Sequence, residues 1–364
     1  TIVLAFDMGA SSGRLTSQYF NGEKIEVKEI HRFQNGPQQV GGNYYWNYSQ
    51  LVSELKNGLE KVEKSAASVG IDTWGVDVGL LDAKQQLLSD PFSYRDTFSI
   101  PFVKKIEEHY EYLQLYKRTG NEISAINTLF QLQAIYNLNP QYRENCSSIL
   151  LMPNLFIHAL SNMQVNELSI ASTTQLMNAN TMQWDEELIN KVFNHALPLA
   201  PIERPHQIIG TVRDYPSIKM ALVPGHDTAC ALSALPIING QSIFISLGTW
   251  GIIGMELESP VLTEQAFLQG FTNERTSEGN IRFQKNAPGF WILQKLREEW
   301  AKRGEPSSFE FERTAFYKAE QFTTLINPNA ENFFNPESME VAIEAYCRQT
   351  EQTIPITKGQ FIHC

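Results

Sequence analysis

Two short turns, each rich in glycine and hydroxyl residues and each following an apolar run, constrain most strongly what this chain can fold into. The first is Asp7-Met8-Gly9-Ala10-Ser11-Ser12-Gly13-Arg14, directly after Ile2 to Phe6. The second is Ile245-Ser246-Leu247-Gly248-Thr249-Trp250-Gly251, after Ser242-Ile243-Phe244. Such residues at a strand turn expose backbone N–H groups and O–H donors, which phosphate oxygens accept. Between the two turns lies Gly225-His226-Asp227-Thr228-Ala229. Two anion-accepting turns with one carboxylate between them point to phosphoryl transfer from a nucleotide to a small molecule.

Each motif also has a plainer reading. A Gly/Ser hairpin turn occurs in many β-containing proteins. The first turn adds an acid at its entry, two adjacent hydroxyls and an arginine. Asp7 is suited to a hydrated Mg²⁺ ion, which keeps several waters and takes few carboxylates. Ser11, Ser12 and the backbone N–H groups are suited to phosphate oxygens, and Arg14 to charge developing on the γ-phosphate. The second turn is weaker alone, because Gly248 and Gly251 serve equally to allow positive φ. Asp227 opens an apolar stretch and reads either as a helix N-cap or as a general base taking a proton from a sugar hydroxyl. Trp74, in Ile71-Asp72-Thr73-Trp74-Gly75-Val76-Asp77, is either core or a platform for a sugar face. In the second case Asp77 and Arg95 serve the hydroxyls, although Ser93-Tyr94-Arg95-Asp96 is equally a surface ion-pair loop. Gly75, inside a strand pattern, marks close approach of a ligand or of backbone.

The pattern along the chain is α/β. Thr1 to Phe6, Gly13 to Phe20 and Lys24 to Phe33 read as three antiparallel strands. Leu51 to Lys64 has helical spacing of Leu51, Val52, Leu55, Leu59 and Val62. Ser68 to Leu81 returns to strand character. Three antiparallel strands, a crossover helix and a further strand make a ribonuclease-H-like half-domain. Ser99 to Tyr116 and Leu129 to Asn137 read as helices. The strand–turn–strand unit restarts with strands Ser242 to Leu247 and Gly251 to Leu257. This places a boundary near Ile237-Ile238-Asn239-Gly240, with domains at 1–238 and 239–364.

Charge and composition exclude some classes. Lys+Arg 29 against Asp+Glu 40 gives a net charge of −11, a poor basis for sequence-independent nucleic-acid binding. No uncharged apolar run is long enough to span a membrane. The start lacks a basic n-region, and position 1 is not methionine. Cys146, Cys230, Cys347 and Cys364 have no C-x-x-C spacing, so they read as reduced thiols of a cytoplasmic protein. His31, His109, His158, His195, His206 and His363 lack metal-ligand spacing. No G-x-x-x-x-G-K-[ST] loop and no G-x-G-x-x-G follows the first strand.

The ordered set of motifs resembles the FGGY carbohydrate kinases, especially the members acting on L-rhamnulose. The set runs DMGASSGR at Asp7 to Arg14, EIHRFQNG at Glu29 to Gly36, GIDTWGVD at Gly70 to Asp77 and YRD at Tyr94 to Asp96. NTLFQL at Asn127 to Leu132, LMPN at Leu151 to Asn154, ASTTQL at Ala171 to Leu176 and GHDTA at Gly225 to Ala229 follow. SLGTWG at Ser246 to Gly251, TNE at Thr272 to Glu274, KNAPGFWILQ at Lys285 to Gln294 and INPN at Ile326 to Asn329 complete it. The resemblance spans essentially the whole chain.

The resemblance implies two actin/hexokinase-type domains around a cleft, the second incomplete here, with ATP and Mg²⁺ as cosubstrates. It implies transfer to the 1-hydroxyl of L-rhamnulose, with L-fuculose or L-xylulose as alternative ketoses. Asp227 matches the base. Ala10, Ser11, Ser12, Gly13 and Arg14 match the first ATP phosphate loop, and Thr249 and Gln294 match further ATP contacts. Gly75, His226, Thr228 and Asn286 match sugar contacts. Relatives continue past Cys364 into a Gly-rich loop lining the adenine site, so a sugar-binding fragment without turnover is a further reading. Relatives also carry a bulkier residue near Gly79. An actin-like ATPase shares the phosphate turns but leaves Thr73-Trp74-Gly75 and Gly225-His226-Asp227-Thr228 unexplained.

Overall fold

The computed structural model describes all residues except 63–65, 237–241, 248–249, 320 and 334–335, and leaves out the side chains at 250, 288 and 331. Two compact units emerge. One comprises Thr1–Ser242 and Glu256–Phe283, the other Ile243–Met255 and Gln284–Cys364. The boundary expected at 238/239 lies outside the described residues.

The first unit is built on strands β1 (Ile2–Met8), β2 (Ser12–Phe20) and β3 (Ile25–Gln34), then helix α1 (Tyr48–Glu60) and strand β4 (Ala66–Thr73). β1 pairs antiparallel with β2 and parallel with β4. After β5 (Val78–Leu81) and helix α2 (Leu168–Ala171) come β6 (Gln207–Val212) and β7 (Tyr215–Leu222), with helix α3 (Asp227–Ser233) last. The six-stranded sheet runs β6-β7-β4-β1-β2-β3. This is the expected ribonuclease-H-like arrangement.

Physical reasons follow the register. β1 is central, so Leu4, Phe6 and Met8 are all buried and face one core with Leu15, Val69, Ile71, Met220 and Leu222. α1 begins where the Asn47 side chain accepts from Gln50 N at 3.1 Å, satisfying one open helix N–H. Its Leu51, Leu55 and Leu59 face that core. A Cβ at Gly58 would lie 3.2 Å from Phe6 and Leu15, so the glycine lets the helix settle onto the sheet. A second core gathers around helix Thr128–Leu138, with Leu129, Phe130, Leu132 and Ile135.

Two expectations change. The strand read over Ser68 to Leu81 is two strands, β4 and β5, interrupted at 74–77. Val76 there has φ 68°, which no continuous strand accommodates. The helix read over Ser99 to Tyr116 is Ile100–Lys105, a 3₁₀ turn Ile106–Glu108, and Tyr112–Thr119. His109–Glu111 break it, and Glu111 is extended.

In the second unit, Ile243–Leu247 pairs antiparallel with Trp250–Leu257 up to Met255, as the second turn motif implied. Ile292, Leu296, Trp300, Met339, Ile343, Cys347 and Phe361 form its core. Among the described residues, no helix is long and apolar enough to cross a membrane.

Candidate active site

The first turn closes the β1–β2 hairpin, and antiparallel register sets Asp7 opposite Arg14 and Met8 opposite Gly13. Arg14 Nε and Nη2 both approach Asp7 Oδ2, at 2.9 and 2.8 Å. Gly13 is required by packing: a Cβ there would stand 2.2 Å from the Phe33 ring. Asn35 ties the loop from the β3 side, donating its side-chain amide to Gly9 O at 2.8 Å and its N–H to Ser11 O at 3.0 Å. Ala10, Ser11, Ser12, Gly13 and Arg14 are thus held at the end of the central strand.

Parallel pairing of β1 with β4 brings a second carboxylate beside the first, with Asp72 across from Asp7. Burial, joined by the charges of Asp7 and Asp227, holds the Asp72 carboxyl well above the usual carboxylate range. Only the register reveals this acid as part of the site; its sequence context does not.

β4 also carries the third motif. Thr73 bridges to His226 in parallel fashion, and Thr73 N donates to Gly225 O at 2.9 Å. α3 then starts with Asp227 as its first residue and His226 as N-cap. The plain N-cap reading of Asp227 is therefore off by one position. Its Oδ1 accepts from Thr228 N at 2.6 Å and from Thr228 Oγ1 at 3.2 Å, while the side chain remains 41% exposed. His226 Nε2 stands 3.4 Å from Asp227 Oδ1. A Cβ at Gly75 would sit 3.3 Å from His226 Nε2 and 3.4 Å from Thr173 Oγ1. The structure thus brings Gly75, His226, Asp227 and Thr228 together.

Supporting groups appear that sequence reasoning missed. Glu167 is fully buried, and its Oε2 accepts from Gly225 N at 2.7 Å, Ser169 Oγ at 2.6 Å and Ser169 N at 2.9 Å. Ser169 Oγ in turn accepts from His226 N at 3.3 Å. Arg282 and Glu274 flank His226 on its other side. Glu274 closes the motif TNE, and ASTTQL follows Ser169 in sequence, but nothing in their spacing shows that they meet the Gly225 turn.

Two expectations are corrected. Trp74 is 4% exposed, and its ring packs against Trp46 with centroids 4.2 Å apart, so it is core and not a sugar platform. Asp77 is buried and its carboxylate is committed. Oδ2 accepts from the Trp46 and Trp74 indoles at 2.6 and 2.9 Å and from Tyr94 N at 3.2 Å, while Oδ1 accepts from Gln131 at 2.8 Å. Burial pushes its carboxyl up to about 6 despite these donors. Arg95 does not reach that carboxylate. Its Nη2 donates to Ser11 Oγ at 3.4 Å, on the phosphate turn. Asn286 and Gln294 belong to the second unit. Thr249 lies outside the described residues.

The two halves of the chain match separate family models. Residues 2–231 match the N-terminal domain of the FGGY family of carbohydrate kinases, and residues 243–364 match its C-terminal domain. A rhamnulokinase of Bacillus subtilis is 36% identical over all of this chain and 76% of its own length. One of Bacteroides thetaiotaomicron is 35% identical over 99% of this chain and 76% of its length. Among solved structures, xylulose kinase of Lactobacillus acidophilus superposes with a TM-score of 0.75 at 15% identity, covering 87% of this chain and 66% of that one. Glycerol kinase of Plasmodium falciparum with ADP gives 0.74 at 16%, covering 96% and 77%. Those structures share the fold, and the family models carry the chemistry of a kinase, for which ATP is the phosphoryl donor and a small-molecule sugar the acceptor. The chain belongs to the FGGY family of carbohydrate kinases.

Proposed function

We propose that this chain transfers the γ-phosphate of ATP to the 1-hydroxyl of L-rhamnulose, giving L-rhamnulose 1-phosphate. The observation that carries the reading is the Gly225–Thr228 turn. It presents a solvent-open Asp227 carboxylate beside a glycine, Gly75, that leaves room against His226. Relatives named rhamnulokinase at 34–36% identity support the choice of ketose.

In this reading Asp227 orients the O1 hydroxyl and takes its proton as the oxygen attacks the γ-phosphorus. Thr228 fixes the carboxylate through its N–H and hydroxyl. His226, Gly75 and Asn286 bind the sugar. Ala10 to Arg14 cradle the phosphates through N–H, O–H and guanidinium donors, with Thr249 and Gln294 as further nucleotide contacts.

The residues fit Mg²⁺ as a nucleotide-borne ion. Among the described residues no cluster of three or more His, Cys, Asp or Glu could hold a metal by itself. Asp7 is half-buried at the phosphate turn, and its ion pair with Arg14 uses Oδ2. Asp7 would hold Mg²⁺ through water, and the ion would neutralise phosphate charge. The four free thiols support a reducing, cytoplasmic setting.

A coupled assay of ADP release over L-rhamnulose, L-fuculose and L-xylulose tests the reading. L-Rhamnulose is expected to give the highest kcat/KM. Asp227→Asn is expected to lower kcat by about 10²–10⁴. Full turnover in that variant would refute the base assignment, and a better second ketose would replace the substrate.

A further inference from the structure

The side chain of Arg282 is fully buried. Its Nη2 lies 2.6 Å from Glu274 Oε2 and 2.9 Å from His226 Nδ1, and its Nε donates to Arg275 O at 3.2 Å. Nη1 is buried with no hydrogen-bond partner among the described residues. An unpaired buried N–H is costly, which argues that this guanidinium is kept for something besides stability.

A guanidinium has donors only and keeps its proton. The nitrogen facing Nη2 at 2.9 Å must therefore present a lone pair, which leaves the imidazole proton on Nε2. The competing form would place an N–H on Nδ1 toward Glu274 Oε2 at 3.3 Å. That form sets two N–H groups against each other at the shorter contact. Nε2 is the ring atom that faces Asp227 and Gly75.

We propose that Arg282, held by Glu274, is a positioning residue for phosphoryl transfer: it locks His226 as the neutral Nε2–H tautomer, so that the imidazole donates into the sugar site beside Asp227. The inference rests on the sugar-kinase reading for its site, but the tautomer is independent of which sugar is used. A neutral donor beside the base can hold a sugar oxygen without neutralising Asp227. An imidazole in the other tautomer would compete for the same hydroxyl proton.

The test is long-range proton–nitrogen correlation spectroscopy of histidine-labelled complete protein, with His226 assigned by its loss in His226→Asn. Near neutral pH the wild type is expected to show Nε2–H. Arg282→Gln alone removes the guanidinium that neutralises the largely buried Glu274 and risks misfolding. The paired variant Glu274→Gln/Arg282→Gln removes both charges together. It is expected to show mixed His226 tautomers and a kcat/KM for the ketose lowered on the order of 100-fold, with KM for ATP unchanged. An Nδ1–H or doubly protonated His226 in the wild type overturns the proposal, as does an unchanged tautomer and rate in the paired variant. If no ketose is turned over while His226 still shows the Nε2–H form, the sugar reading fails and the tautomer lock stands.

Discussion

Glu167 Oε2 accepts a hydrogen bond from the Gly225 backbone N–H at 2.7 Å, so a fully buried carboxylate sets the turn that carries His226 and Asp227. Three more donors converge on the same oxygen, from Ser169 N, Ser169 Oγ and Ile170 N. α2 and the Gly225 turn are thereby joined through one atom.

Glu167→Ala removes the acceptor for four donors at once. Leaving buried donors unpaired costs about 1–3 kcal/mol each, not additively, so a loss of about 3 kcal/mol in chemical denaturation is expected, with turnover falling alongside it. Glu167→Gln keeps one oxygen and is expected to lose less. Equal stability of Glu167→Ala and wild type would show that the turn holds itself.

Gly75→Ala puts a methyl 3.3 Å from His226 Nε2 and 3.4 Å from Thr173 Oγ1. Overpacking of this kind costs about 1–3 kcal/mol. If the displaced group is the sugar-binding imidazole, kcat/KM for the ketose drops roughly tenfold or more, while KM for ATP holds. Steady-state kinetics with each substrate varied in turn make the measurement.

Arg95 touches the phosphate turn through Ser11 Oγ and not the Asp77 carboxylate. Arg95→Ala is accordingly expected to raise KM for ATP roughly tenfold or more and to leave KM for the ketose near its original value, since a charge-assisted contact is worth about 1.5–3 kcal/mol. The opposite split, with the ketose KM moving alone, would return Arg95 to the sugar side.

Asp77 supplies a pH prediction. Its carboxyl is raised from 3.8 to about 6 by burial. Between those values the native state holds a proton that the unfolded state has released. Its contribution is therefore full below about pH 4 and is lost as pH rises through about 6, amounting to about 3 kcal/mol at 1.36 kcal/mol per unit. Asp77→Asn has no such titration. The stability difference between wild type and variant is expected to shift in favour of the variant from pH 4 to pH 7. A difference constant across that range would mean that Asp77 ionises at its ordinary value.

Much of the site was legible because short-range chemistry wrote it. A hairpin turn with Asp7, Ser11, Ser12 and Arg14 needs only neighbouring residues and antiparallel register, and both are local. The glycine at position 75 signalled a close approach, but that the approaching group is the His226 imidazole was not legible in the sequence. Trp74 and Asp77 were misread for a specific reason. Their motif lies at a break where Val76 takes φ 68°, and continuous alternation does not survive such a break. Both side chains turn inward, where Trp46 and Gln131 supply their partners.

By itself the sequence determined the three antiparallel strands, the crossover helix and the strand that follows it, the hairpin that holds the first phosphate turn, and the motif with Asp227 at its centre. Periodicity and turn chemistry are local, so they can be read one window at a time. Only the tertiary structure decided which distant residues act on that motif: Asp72 across from Asp7, Glu167 beneath Gly225, and Arg282 with Glu274 against His226. The pairings of Asp72 with Asp7, Glu167 with Gly225 and Arg282 with His226 join residues 56 to 65 positions apart through strand register and burial, and no spacing rule along the chain encodes a contact that a folded sheet creates.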